Sequence, residues 1–340
     1  MEIDNPKKET KPTQINTQKI ITKNSYSDLV FENSFFVFKS INNLFILTYA
    51  TEERSIIIYN LEVFQIITEI KEAHKDYITN FNHIYDNNAK MDLLMSVSRS
   101  NNNLKIWSLK NFNCILTIES INKGGILNSA CFLNYQNNIY IVTSNRNWLE
   151  PDPIKIYNFK DIISGIKDSR NNTFFIDIYY DKNNKKTYIV SGNEGNIISY
   201  NFEERDKYKV YCEKFENNVF HQSFKIYESN YRTKLIESCD GFSGIIRIWD
   251  FHSAQLLEKI KASDGKLRCI YLWDKDNIFV GCGDKTIKLI NLETHRIINS
   301  LNGHKNNVCS FKIIFHPKYG KCIISQGLND DQIRIWISEE

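Results

Sequence analysis

Ser325, His304 and Asp330 carry the groups of a hydrolytic triad: a hydroxyl, an imidazole to take its proton and a carboxylate to orient the ring. The surrounding sequence argues against that use. Ser325 sits in the run Cys322-Ile323-Ile324-Ser325-Gln326, which reads as a packed strand, and no Gly-x-Ser-x-Gly elbow lifts it toward a substrate. The histidines at 83, 221, 252, 295 and 316 share no metal-ligand spacing, and the eight cysteines form no Cys-x-x-Cys pair. The stretches Ser191-Gly192-Asn193-Glu194-Gly195 and Gly281-Cys282-Gly283-Asp284 lack P-loop spacing and open no helix, so neither builds a phosphate cradle. The expectation is a chain without catalytic residues, cofactor or metal.

The elements that hold these residues recur. A strand-like alternation ends in an aromatic and a small polar residue: Leu104-Lys105-Ile106-Trp107-Ser108, Ile154-Lys155-Ile156-Tyr157-Asn158, Ile246-Arg247-Ile248-Trp249-Asp250. Seven copies place their fourth residue at 59, 107, 157, 200, 249, 290 and 336, in steps of 48, 50, 43, 49, 41 and 46. A period of that size marks one supersecondary unit repeated. The sixth unit divides most clearly into four strands, a to d, over 267–273, 277–282, 286–290 and 296–301, with turn residues between them. Four antiparallel strands cannot cover both of their own faces, whereas stacking seven such sheets around an axis does. Such a repeat builds a docking surface more often than a reaction centre.

Composition agrees. Hydrophobic residues make up 42% and aromatics 13%, enough for a large core. Lys and Arg total 43 against 40 Asp and Glu, a balance that argues against nucleic acid as the partner. Met1 to Gln14 is polar, which reads against a signal peptide, and no apolar stretch of about 18 residues suggests a membrane span. Scattered cysteines suit a reducing compartment. The expected location is the cytoplasm, with nuclear, cytoskeletal or ciliary association as alternatives.

The chain resembles the WD-repeat family of β-propellers. The resemblance rests on Trp249-Asp250 closing a strand c, on Gly303-His304 opening a repeat, and on Asp284 ahead of Thr286-Ile287-Lys288-Leu289. The seventh repeat is the fullest match, with Gly303-His304, His316-Pro317, Asp330 and Ile333-Arg334-Ile335-Trp336. It implies an all-β fold, a single seven-bladed propeller of four-stranded antiparallel blades over residues 18–340, preceded by a flexible polar tail, 1–17. It also implies a buried structural network of His304, Ser325, Asp330 and Trp336 in repeat seven. Repeat two would keep His74, Ser96 and Trp107 but no carboxylate, since its turn is Ser100-Asn101-Asn102. The C-terminus follows a strand c, so the last blade lacks a strand d; Gln18 to Lys23 is expected to supply it, with a turn at Asn24-Ser25 and a strand at Leu29 to Phe31.

Function should then reside in loops. Trp148 and Leu149 lie in a polar loop held by Pro151 and Pro153, next to Arg146, and Phe242 lies in Asp240-Gly241-Phe242-Ser243-Gly244 on the same expected face. Exposed Trp beside Arg is the composition of an interface anchor, so Arg146, Trp148, Leu149 and Phe242 are the candidate partner-binding residues. Local packing of Trp148 over the neighbouring blade is the competing reading. Lys75, Lys123, Lys266, Lys285 and Lys305, interleaved with Asp76, Glu194 and Asp264, give a mixed rim. The reading is a non-catalytic scaffold for other proteins, a subunit of a larger complex. The alternatives are an enzyme using the central channel, with His221 and Asp177 as its candidates, and a phosphopeptide-reading adaptor relying on Arg146.

Overall fold

The computed structural model describes residues 19–21, 35–40, 43–50, 54–76, 78–98, 103–119, 126–146, 154–158, 161–166, 173–204, 207–213, 221–229, 232–239, 243–328, 330 and 332–337. Alternating β-branched and aromatic residues, broken by Asn, Asp and Gly, give strands throughout. They form seven four-stranded antiparallel sheets, and no helix occurs among the described residues. In blade six the strands are Leu267–Leu272, Asn277–Cys282, Thr286–Asn291 and Ile297–Asn302, within one residue of the expected bounds.

Two irregularities recur. A bulge interrupts the a–b ladder in six blades, for instance between Val308 and Ser310. A second interrupts the c–d ladder in five, just before the aromatic position, as between Ile106 and Trp107. Bulges raise local twist, and a strongly twisted blade fits its neighbours radially. Strand a is innermost: the a strands of successive blades touch one another from blade one through blade seven.

The core is seven seams rather than one centre. Each apolar cluster joins two adjacent blades: Leu47 and Ile58 of blade one meet Leu94 and Trp107 of blade two, and the pattern continues to Phe279 with Phe311 and Trp336. The seventh cluster joins Phe35, Ile46 and Tyr59 of blade one to Ile324, Ile333 and Ile335 of blade seven. The ring is therefore closed by packing. At about 1.5–3 kcal/mol for each large apolar side chain fully buried, every seam is a major share of stability.

It is also closed by hydrogen bonding. Lys19–Ile21 pairs antiparallel with the last strand c, Lys19 opposite Arg334 and Ile21 opposite Gln332, and becomes strand d of blade seven. Of the six residues expected in the closing strand, 18, 22 and 23 lie outside the described residues. The turn at 24–25, the strand expected at 29–31 and the tail 1–17 lie outside the described residues.

Candidate functional site

Blade seven assembles its polar set in the seam. His304 lies in the turn before strand a, Ser325 on strand b, Asp330 in the b–c turn and Trp336 on strand c. His304 Nδ1 is 2.7 Å from Asp330 Oδ2, its Nε2 is 2.7 Å from Ser325 Oγ, and Trp336 Nε1 donates to that same oxygen at 2.6 Å. Two glycines make the room. Gly303 has φ +154°, and a Cβ there would sit 3.0 Å from Arg334; a Cβ on Gly327 would press on both Asp330 and His304 at 3.1 Å. Burial lowers the His304 pKa, with the Asp330 charge and hydrogen bond opposing. The order Asp–His–Ser is that of a catalytic triad, but both the His304 and Asp330 side chains have 0% exposure and the serine oxygen is capped by an indole. A substrate carbonyl has no approach to Ser325, so the set ties strands b and c to the two turns beside them.

Blade two repeats the arrangement with one member fewer. His74 Nε2 lies 2.7 Å from Ser96 Oγ, and Trp107 Nε1 donates to it at 2.8 Å. The residues at its b–c turn, 99–102, lie outside the described ones. Lys105 Nζ donates to the Ala73 carbonyl at 2.6 Å and rests over the Trp107 ring. Burial first, and then the Lys105 charge, pull the His74 pKa down to about 3. This ring is neutral at any physiological pH.

Blade five holds a set that the sequence reading missed. The strand-b site of Ser96 and Ser325 is occupied by Glu237, as the register shows: Ser96 faces Lys105, Ser325 faces Arg334 and Glu237 faces Arg247. Glu237 is fully buried; Trp249 Nε1 donates to it at 2.9 Å and His221 Nδ1 bonds its other oxygen. Arg247 lies 3.9 Å from Glu237 and donates through Nε to Glu213 at 2.8 Å, which Lys259 also contacts. Burial pushes the Glu213 pKa up, but hydrogen bonds from Lys259 and Arg247 outweigh it and hold the carboxyl below its usual range. The available signal was alignment of Leu235-Ile236-Glu237-Ser238 with Leu94-Met95-Ser96-Val97.

The two channel candidates separate. His221 is committed to Glu237 beneath Trp249, whereas Asp177, on strand a of blade four (Thr173–Asp181), lies 3.8 Å from Lys225 of blade five. Each has its own partner, and they form no joint acid–base pair. No group of three or more His, Cys, Asp or Glu suited to a metal occurs among the described residues.

Of the loop candidates, Arg146 ends strand b of blade three (Asn138–Arg146) opposite Ile126; nothing is described of its side chain. Trp148, Leu149 and Phe242 lie outside the described residues. The loop that carries Phe242 is anchored at its far end: Ala262 N donates to the Gly244 carbonyl at 2.9 Å, and Lys261 Nζ to the Ser243 carbonyl at 2.9 Å. Gly244 has φ +59°, and a Cβ there would strike the Ser263 carbonyl. On the rim Lys75, Asp264, Lys285 and Lys305 are exposed, while Asp76, Glu194 and Lys266 are half-buried. The rim is mixed in sign as expected; Lys123 lies outside the described residues.

Seven blades joined by buried seams, with His–Ser–Trp sets in two of them and a terminal strand completing the last sheet, define a class. The fold is a seven-bladed β-propeller, the architecture that the resemblance to WD repeats implies. No protein-family model matches it. A stretch of 93 residues is 29% identical to U3 small nucleolar RNA-associated protein 21 homolog of Schizosaccharomyces pombe, covering 27% of this chain and 10% of that protein. Over 151 residues it is 29% identical to U3 small nucleolar RNA-associated protein 21 of Saccharomyces cerevisiae, 44% of this chain and 15% of that one. A stretch of 70 residues is 28% identical to Myosin heavy chain kinase C of Dictyostelium discoideum, 21% of this chain and 9% of the kinase. The chain thus spans less than a sixth of the length of these relatives.

Proposed function

We propose that the protein is a non-catalytic scaffold whose loop-rich face docks protein partners in a larger, nuclear RNA–protein assembly. The observation that carries this reading is the sealing of the seams: the His74, His221 and His304 sets of blades two, five and seven are consumed in holding strands and turns together. Exposed loop ends are what remains for recognition. A ring presents them at fixed separations, so docking costs little ordering entropy.

Two relatives named for association with a small nucleolar RNA favour the nuclear alternative over the expected cytoplasm. The near-neutral charge balance favours protein rather than RNA as the direct contact. In this reading residues 18–340 act as one unit, and Arg146, Trp148, Leu149 and Phe242 form the docking patch. The test is affinity purification of the tagged protein beside Trp148→Ala/Phe242→Ala, with imaging of the tag. The double variant is expected to melt like the wild type, to lose partners and to concentrate in the nucleus less well. Recovery of every partner at wild-type levels removes the patch, and a wholly cytoplasmic wild type removes the nuclear assignment.

A further inference from the structure

Strands alternate in direction within each blade, so the a–b and c–d turns lie at the end of the ring opposite the d–a and b–c loops. At that end blades seven, one and two are tied together. His316, closing strand a of blade seven, donates through Nε2 to the Leu61 carbonyl of blade one at 3.2 Å. Its ring stacks on Phe64 at 5.8 Å and lies 4.6 Å from the ring of Tyr319. Ser40 Oγ, just past strand a of blade one, donates to Asp92 Oδ2 of blade two at 2.6 Å. Leu109 N, in the c–d turn of blade two, donates to the Asp92 carbonyl at 3.1 Å. The turns of the three blades thus form one continuous ledge.

The ledge is apolar where a turn is ordinarily polar. Phe315 is 73% exposed and Val63 58%. Phe64 and Phe112 hold the same c–d turn position in blades one and two, two residues ahead of the strand-d partners of Tyr59 and Trp107. Their φ values are +56° and +58°. Ala254 and His295 occupy this left-handed position in blades five and six. A bulky side chain is an outlier in a conformation that glycine adopts without strain. Each phenylalanine packs in part against a seam cluster and stays half-buried. Backbone strain of this kind gathers where a surface is used.

The exposed charge of the ledge has one sign. Among the described residues of these turns and the strand ends beside them, the exposed charged side chains are Lys39, Lys90, Lys110 and Lys318. The acids are half-buried and engaged: Glu62 accepts from Leu44 N, Asp86 from Asn88 N and Ala89 N, and Asp92 from Ser40, with His83 Nε2 at 2.7 Å. The same end of blades four, five and six carries exposed Glu203, Glu228, Asp274, Asp276 and Glu293. The positive sign therefore belongs to one sector and not to the whole end of the ring.

We propose that this ledge docks an acidic peptide segment of a partner protein. Its apolar side chains would seat on Val63, Phe64, Phe112 and Phe315, and its carboxylates would face the four lysines. The chemistry favours peptide over nucleic acid. The exposed cations are all lysine, with no arginine fork for a phosphate, and the aromatic rings of the turns are half-covered rather than open for base stacking. The ledge lies at the end of the ring opposite the loop-face patch, so variants in one leave the other untouched.

The test is fluorescence anisotropy of three labelled probes with the purified protein: a synthetic peptide alternating Asp and Glu with Leu and Phe, its counterpart with Asn and Gln for the acids, and oligouridylate. The acidic peptide is expected to bind the wild type, and the neutral one at least about tenfold more weakly. A similar loss is expected for the acidic peptide with Lys39→Glu/Lys318→Glu and with Val63→Ser/Phe315→Ser. All four side chains are exposed, so both variants should melt as the wild type does. Lys182→Glu, on the a–b turn of blade four, should bind normally. The proposal is overturned by a wild type that does not bind the acidic peptide or binds the neutral one equally well. It is overturned too if both ledge variants bind as the wild type does, or if oligouridylate binds more tightly than the acidic peptide.

Discussion

At the residue scale, the buried polar sets govern stability and its pH dependence. His74 and His304 both titrate below the ordinary histidine value because burial disfavours their charged forms. The unfolded chain binds those protons near pH 6.5 while the folded chain does not, so stability rises with pH across the interval. The sign follows: stability is fully present above pH 6.5 and falls as pH drops from 6.5 toward about 3 for His74. The slope per histidine is about 1.4 kcal/mol per pH unit. Urea unfolding at pH 7 and pH 5, above the carboxylate range, is expected to show at least about 2 kcal/mol lost; equal midpoints would mean that these rings are not held neutral. Glu237→Gln tests blade five. It leaves Trp249 a partner but strips the charge that faces His221 and Arg247. Breaking a buried pair costs about 3–5 kcal/mol, and because Arg247 keeps Glu213 about 2–3 is expected here. A urea midpoint within error of the wild type would show Glu237 to be unnecessary.

At the element scale, the closing strand is the feature most open to test. Without Lys19–Ile21, blade seven ends in an unpaired strand c, and such edges are exposed liabilities. Removing residues 1–23 is expected to lower the circular dichroism melting temperature by more than about 5 °C, since 1 kcal/mol corresponds to about 2–4 °C or less in a chain of this size. An unchanged transition would assign closure wholly to the cluster of Phe35, Ile46, Tyr59, Ile324 and Ile333. Strand positions were legible because alternation and turn residues are local: Leu267, Asn277, Thr286 and Leu301 all fell within the strands expected of them. Closure was legible too, because the first strand copies the pattern of a strand d. The His304 set was legible because all four of its residues keep their usual types. Glu237 was not, because a substituted residue reveals its place only through ladder register, and a bulge at His221–Ser223 shifts that register. Loop conformation at Trp148 and Phe242 is set by no alternation, and sequence gives only their chemistry.

At the scale of the whole molecule, every blade buries apolar side chains against both neighbours, so no blade can melt without exposing two seams. Unfolding should therefore be cooperative around the ring. Trp107, Trp249 and Trp336 are all buried, in blades two, five and seven. Tryptophan fluorescence and far-ultraviolet circular dichroism are expected to give coincident urea transitions, shifted together by Glu237→Gln; separate transitions would mean that seams melt independently. In the proposed role, a rigid body of this kind would give partners a platform whose geometry does not depend on which of them is bound.

The pairing of Lys19 with Arg334 also sets a timetable. A nascent chain that has made its clasp cannot fasten it until the far end has left the ribosome, and at roughly 5–20 residues per second that wait is about 15 s to a minute. Throughout it, the apolar flank of the first blade stands bare. Synthesis in the cell thus creates a window in which chaperone capture, or capture by another chain's loose strand, competes with the protein's own completion.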